Sequence, residues 1–492
     1  MVRATYAVEV DWDNDGAYGH DEVDITADVL DAVFSRGRDR SSPVLGQGTA
    51  GRMSLTVRNE TGKYSKNNTG SDVAGLQLPG RLIRVRTTAP GSAVTLWTGY
   101  VERFTPVSVG LSATTTITAV GSLAQLHKKI TIASLTDPTV KAILDDILDD
   151  AGWAAGLRSL DTGQTTLNRI WFHDRIARNA FYEVVDSDGG FVYESAAGNI
   201  VFEDRHHRLL TPHTVSQATW SDAAGASLSY MVVEESDPHI EIRNHVRVGI
   251  HRFTVGSAAT LWNLNQTLTL AIGETQTVWA RYPDAGTPSG SYVNAWTTIN
   301  SSDVSVSGVA FASLGIVLSK FAETMKIQIT NNGAATASIS AMRARGTPVT
   351  QDEPVIAEAE DAASITLFGE RSYEFPGPWM RNFNEAQDIA NWYLARFKSD
   401  VSVLTITRNA NRDSASMTDV LARNISDRVT VVANNEAHLG INTDFFIERI
   451  THRISQGGTL HNVTYVLAEV ASVAGLWTLG VSKLGVGTTL AA

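Results

Sequence analysis

The most regular feature of the chain is an alternation of apolar and polar positions, interrupted at short intervals by Gly, Pro, Asn and Asp. From Arg52 to Arg58 it places Met53, Leu55 and Val57 on one face, and the stretches Arg81 to Arg86, Thr95 to Arg103 and Thr114 to Val120 repeat it. A period of two is what strands with one face on a core require, so residues 1–125 are expected to form a small barrel or sandwich.

The period then lengthens. Asp137-Pro138 reads as a helix start, with a capping carboxylate and a first-turn proline, and Val140, Ile143, Leu144, Ile147 and Leu148 form one apolar stripe. Asp145, Asp146, Asp149 and Asp150 fall largely on the opposite side, as a solvated helix face does. A second helix over Arg175 to Val185 and a hairpin around Ala196 to Asn199 complete an α+β module at 126–212. Alternation from Ile240 to Ile250 marks 213–255 as the first part of a second barrel region. Across 256–346 Thr, Ser, Asn and Gly dominate and helical patterns vanish, which predicts an inserted β-sandwich. Residues 347–470 return to the second barrel region, with a helix beginning at Asn384 and strands at Val401 to Arg408, Asp427 to Ala433, Phe445 to Ile454 and Leu460 to Glu469. The turn Ser455 to Gly458 joins the last two as a hairpin, and 471–492 reads as an extended C-terminal arm.

Composition narrows the function. At 492 residues the length prior gives about three or four domains, and 43% hydrophobic against 19% charged residues describes a chain folded nearly throughout. The formal net charge of −12 argues against tight phosphate-backbone binding. With no cysteine there are no disulfides, thiolate metal sites or cysteine nucleophiles. Met1 to Val10 lacks the apolar segment of a secretory leader, and the longest apolar run, Val470 to Val481, is too short to span a bilayer.

Candidate chemistry is sparse. Asp11, Asp13, Asp15, Gly16 and Glu22 stand at positions one, three, five, six and twelve of a calcium-loop spacing, with the Ala17 carbonyl at seven. Flanking β-branched residues put this loop at the tip of a hairpin rather than between helices, and a plain acidic turn uses the same residues. Trp262, Trp279, Tyr282, Tyr292 and Trp296 are candidates for a glycan- or partner-stacking surface and equally for the core of the insert. His206-His207 reads as a surface pair on a strand. No zinc-protease, nucleophile-elbow, phosphate-loop or dinucleotide motif occurs, so no catalytic residue is assigned.

Val10 to Gly16, Asp24 to Asp28, Arg36 to Arg40, Leu55 to Asn59 with Gly62 to Ser65, and Pro79 to Arg81 with Trp97 to Glu102 together resemble the N-terminal barrel of tailed-bacteriophage minor tail proteins. Ser426 to Val429, Phe446 to Ile450 and His452 to Ile454, with Gly457, Gly458 and Val463 to Leu467, are similar to the final barrel of their baseplate hub group. That resemblance implies a mainly β fold, with two hub-type β-barrels around the α+β module, the inserted sandwich and the short arm. It also implies a non-enzymatic virion protein: a homotrimeric baseplate or tail-tip hub, assembled in the host cytoplasm, that closes the tail tube. Its partners would be the distal tail protein, the tail tube, the tape-measure protein and tail fibre or receptor-binding proteins, and genome DNA would pass without specific binding. Ca²⁺ is the only cofactor expected. The competing reading is a host-envelope-binding or glycan-degrading tail protein.

Overall fold

The computed structural model describes residues 4–38, 48–88, 93–109, 112–236, 241–282, 292–375, 377, 379–399, 403–436, 438–470, 476–477 and 489–490. The first alternating stretches form strands β1 (Thr5–Val10), β2 (Val29–Gly37), β3 (Arg52–Arg58), β4 (Leu82–Thr88), β5 (Val94–Val109) and β6 (Ser112–Val120). They lie in the order β1-β4-β5-β6-β3-β2, antiparallel throughout. Val8 and Val10 of β1 share one core with Phe34 of β2, Leu55, Ile83 and Ile117, so the sheet curls until its two end strands face a common interior. A register shift in β5 between Val101 and Arg103 adds the local bend that such curvature needs.

The α+β module contains β7 (Lys129–Thr136), α1 (Val140–Ala151), β8 (Arg158–Leu160), β9 (Arg169–Ile176), α2 (Ala177–Asp188), β10 (Phe191–Glu194) and β11 (Ile200–Glu203). The α1 stripe is fully buried and meets Phe181, Val184 and Val185 of α2 in one core. Its cap differs from the expected one. Thr139 accepts from the Ala142 amide at 3.3 Å, while Asp137 sits at φ 53 with its own amide donating to the Asn168 carbonyl, so the chain is still turning there. The predicted hairpin is present, with Phe191 opposite Glu203 and Glu194 opposite Ile200.

Next come β12 (Thr219–Ser221), β13 (Val232–Ser236) and β14 (His245–Ile250). Between them and the C-terminal strands stand β15 (Phe253–Val255), β16 (Ala259–Asn263), β17 (Leu268–Leu270), β18 (Thr275–Arg281), β19 (Tyr292–Trp296), β20 (Val304–Ser307), β21 (Leu314–Lys320), β22 (Thr324–Asn331) and β23 (Ala337–Gln351). The long β23 pairs with β15, β16, β17, β19 and β20, while β18-β22-β21 make a second sheet. The two sheets enclose Leu270, Ala280, Trp296, Ile327, Ile329 and Ile339, which is a sandwich core. After β24 (Val355–Glu360), α3 (Ala362–Phe368), β25 (Ser372–Phe375) and α4 (Phe383–Phe397), a small sheet β24-β14-β25 packs on the apolar face of α4. These strands, assigned from sequence to the second barrel region, form a layer apart from it. They are drawn away by Ile389, Ala390, Tyr393 and Phe397, which need a cover of their own.

The closing strands are β26 (Val403–Asn409), β27 (Arg428–Ala433), β28 (Ile441–Ser455) and β29 (Leu460–Glu469), with α5 (Ser414–Ala422) between the first two. They share a core that includes Trp220, Leu404, Ile406, Phe445 and Tyr465. Here the two strand-rich regions, each around its own core, are joined edge to edge. β28 pairs on one side with β29 and on the other with β2, from Asp31 opposite Ser455 to Gly37 opposite Arg449. Both strand-rich regions thereby become, among the described residues, one 12-stranded sheet with β1 and β13 at the ends of its main path, and these ends do not pair with each other. Of the C-terminal arm, only Leu476–Trp477 and Thr489–Leu490 lie among the described residues, and they pair in parallel.

The seam between β2 and β28 is close and partly ionic. A Cβ on Gly37, at φ +118, would lie 2.4 Å from the Glu448 carbonyl oxygen, so only glycine fits. Phe34 stacks on His452 at 5.0 Å, His452 Nδ1 meets His461 Nε2 at 2.9 Å, and His461 Nδ1 meets the Tyr6 hydroxyl at 2.9 Å. Burial pushes His461 down to about 3, so this pair is neutral. Beside it, Glu448 pairs with Arg38 and with Arg208, whose Nη1 is 2.7 Å from Glu448 Oε1. Burial alone would raise the Glu448 carboxyl, but the Arg208 and Arg38 guanidiniums hold it down, at about 2. All three side chains are buried, so Glu448→Ala strands two guanidiniums without their carboxylate. Urea unfolding of that variant should show a loss of roughly 3–5 kcal/mol, against less than about 0.5 kcal/mol for Ala at exposed Glu436.

Candidate functional site

The acidic loop is built around a tryptophan. Trp12 is fully buried, stacks with Phe104 at 5.9 Å and Tyr64 at 6.5 Å, and donates its Nε1–H to the Glu22 carbonyl at 2.8 Å. That anchor closes the loop. Only a rudimentary hairpin flanks it: Val10 N donates to Val23 O, Ile25 N donates to Val8 O, and Glu9 bridges Asp24 before the chain leaves for β2.

Within the loop three of the four candidate carboxylates are already engaged. Asp11 Oδ1 accepts from the Asn14 amide at 2.8 Å and Oδ2 from the Gly16 amide at 3.0 Å, while Asp15 Oδ1 accepts from Ala17 N at 2.8 Å. Glu22 Oε2 lies 2.5 Å from Lys63 Nζ, which holds that carboxyl below its usual range and also approaches Asp28 at 4.0 Å. Among the described residues no three His, Asp or Glu side chains gather into a group able to hold a metal ion. Asp11, Asp13, Asp15, the Ala17 carbonyl and Glu22 therefore do not fit Ca²⁺ as they are arranged, because the lysine ammonium supplies the positive charge that the twelfth-position carboxylate would give to a metal.

The five aromatic candidates separate rather than align. Tyr292 is fully buried and stacks on Trp171 of the α+β module at 4.0 Å, with Phe253 and Trp379 around them. Tyr282 and Trp296 lie in the sandwich core, Trp296 donating to the Phe321 carbonyl at 2.8 Å, and Trp262 packs partly buried against the same core. Trp279 alone is half exposed, at 52%, and stacks on Phe321 at 6.2 Å. Hydrogen bonds from Trp171 Nε1 to Glu323 at 3.1 Å and from Arg169 Nη1 to Asn294 at 3.0 Å fasten the sandwich to the module.

His206 and His207 stand at a short helical turn, His207–Leu209, rather than on a strand. His207 Nδ1 is 2.7 Å from Asp161 Oδ2, and that hydrogen bond raises its pKa despite partial burial. The α1 carboxylates are paired outward, Asp145 and Asp149 with Arg158 at 3.0 and 2.6 Å. Sequence reasoning passed over the buried polar groups that join the modules. Arg208 donates to Ser426 Oγ, Ser426 donates to Glu203, and Tyr193 donates to Glu203 at 2.7 Å. Glu194 accepts from the Gly51 and Leu123 amides at 2.7 and 2.6 Å, and burial pushes its carboxyl up to about 7. No motif marks these residues, and their charge reads as surface. No helix among the described residues is long and apolar enough to cross a membrane.

No protein-family model and no curated protein matches the chain. Among solved structures it is similar to the 43 kDa tail protein of prophage MuSo2 from Shewanella oneidensis, at 12% identity and a TM-score of 0.50, over 95% of this chain and 98% of that one. It is also similar to the tail protein from Neisseria meningitidis MC58, at 12% identity and a TM-score of 0.51, over 95% and 97%. A looser likeness, at 9% identity and a TM-score of 0.39 over 95% of each chain, is to prophage tail protein gp18 from Listeria monocytogenes EGD-e. The first two matches run nearly end to end, and the chain has the phage tail-protein fold that its sequence resemblance implies.

The loop geometry gives a direct test. Adding millimolar Ca²⁺, or EDTA, should leave the melting temperature unchanged, because a ligand that does not bind the folded form adds no stability. A rise in melting temperature with calcium, abolished in Asp13→Ala, would show that the loop rearranges to bind metal.

Proposed function

We propose that this chain is a structural protein of a bacteriophage tail and forms a homotrimeric hub at the distal end of the tail tube. The observation that carries the reading is the end-to-end match to two tail proteins by a chain whose strand-rich regions form one continuous sheet. A sheet shared by both regions makes each subunit a single stiff wall segment, and β13 at the end of its main path, mostly exposed, offers an edge for a neighbour in a closed ring. Each subunit brings two strand-rich regions, so three subunits present six to the tube above. The net charge of −12 suits a lumen through which DNA passes without adhering. In this role the chain contacts the tail tube, distal tail protein and tape-measure protein, and carries fibre or receptor-binding proteins on its outside. It works by shape and assembly rather than as an enzyme, and it resides at the virion's tail tip after assembly in the host cytoplasm.

Mass settles the stoichiometry. Native mass spectrometry of tail tips released from virions should give a species at three times the 53.0 kDa chain mass. A 53.0 kDa monomer both in solution and in the released tip would contradict the hub.

A further inference from the structure

The β18-β22-β21 sheet has two chemically distinct faces, set by its register. Val278 opposite Ile327, Ala280 opposite Met325, and Ile316 opposite Ile329 turn into the sandwich core. The alternate residues turn outward: Thr277, Gln328 and Val317 in one row, Trp279, Lys326 and Ser319 in the next, and Arg281 beyond, opposite the buried Thr324. On this face Trp279 is 52% and Val317 61% exposed, and Phe321 supports the indole from one side. Among the described residues neither Lys326 nor Arg281 has a carboxylate partner, and the outward rows contain no acidic residue. Residues 253–351 hold five basic and four acidic side chains, in a chain whose net charge is −12. Asp303 is engaged by Arg343, Glu323 by Trp171, and Glu274 by Gln276.

This combination selects a ligand class. An exposed indole offers a flat apolar surface, the Thr277 hydroxyl and the Gln328 amide offer hydrogen bonds around it, and two cations without a carboxylate partner among the described residues, Lys326 and Arg281, lie opposite it and two positions along the strand. A pyranose ring has the matching form, with an apolar face and a hydroxyl rim, and a carboxylate on the ring answers the cations. Single-stranded nucleic acid asks for something else, a basic groove lined by a row of exposed aromatic residues, whereas among the described residues of this face Trp279 is the exposed ring, with Phe321 stacked on it. A protein partner of ordinary size calls for a contiguous apolar centre, whereas Trp279 and Val317 are set among polar neighbours. We infer that the outer face of this sheet binds an anionic polysaccharide, with Trp279 stacking on a sugar ring and Lys326 and Arg281 pairing with its carboxylates. The inference rests on the tail reading only for where such a polymer is met, at a cell envelope.

The test uses the whole protein. Polygalacturonate, neutral dextran and oligothymidylate are titrated by isothermal calorimetry at low and moderate salt, with wild type, Trp279→Ala and Lys326→Glu. Polygalacturonate should bind the wild type, weaken with salt, and bind Trp279→Ala roughly tenfold less tightly, the factor that one stacking contact carries. Lys326→Glu should weaken binding and flatten its salt dependence. Because both side chains point away from the core, both variants should keep the wild-type melting temperature and native mass, so a failure of binding is separable from a failure of assembly. Absence of polygalacturonate binding, equal binding by both variants, or equally tight binding of dextran or oligothymidylate would overturn the proposal.

Discussion

Everything else in this molecule hangs on the pairing of β2 with β28. The two strands lie far apart in sequence, with Arg453 reaching Asp31 across 422 positions, yet they are adjacent in the sheet. Closing so long a loop costs entropy, though that cost grows only slowly with length, and the seam must offset it by packing and pairing. It does so on both sides of the strand. Ala32 and Phe34 complete the N-terminal core together with Ile454, while Arg36 reaches Asn424 at 3.0 Å and Arg38 reaches Glu448. A buried carboxylate between two guanidiniums is worth little as net stability, but its geometry penalises any slipped register, in which a charge would be buried alone.

The chain's local structure was largely legible, and its long-range joins were not. The α1 stripe, the Phe191–Glu203 hairpin and the Gln456–Gly458 turn are set by neighbours within a few residues, so period and turn chemistry suffice. The seam depends on partners hundreds of residues away, and Arg38, Arg208 and Glu448 read as ordinary surface charges until the fold surrounds them. The neighbour of the acidic loop was out of reach for the same reason. The loop's spacing matches a calcium loop, but the cation beside Glu22 is Lys63, 41 residues along the chain. The aromatic residues of the sandwich carried a usable signal. Val278 and Ala280 alternate with Thr277, Trp279 and Arg281, which already turned Trp279 outward while Tyr292 and Trp296 were free to be core.

The sandwich is also more than an appendage on a tether. Tyr292 fills an aromatic box with Trp171, Phe253 and Trp379, and Arg169 bonds to Asn294 from the module side. That box is largely buried, stacked and anchored by side chains from both units, so the sandwich packs directly on the module. The module is in turn tied to the seam through Glu203, Ser426 and Arg208. A load applied to the outer face of the sandwich therefore has a continuous path of packed side chains to the long sheet.

The two ends of the chain form one continuous sheet, with a core on either side of the β2–β28 seam. Native-state hydrogen exchange with peptide-level mass spectrometry tests it most directly. The amides of Val29–Gly37 and Ile441–Ser455 should open together, with the highest and equal opening free energies in the protein, and Glu448→Ala should lower both by the same amount. Exchange of Val29–Gly37 in a separate, less stable unit, with Ile441–Ser455 still protected, would contradict the account.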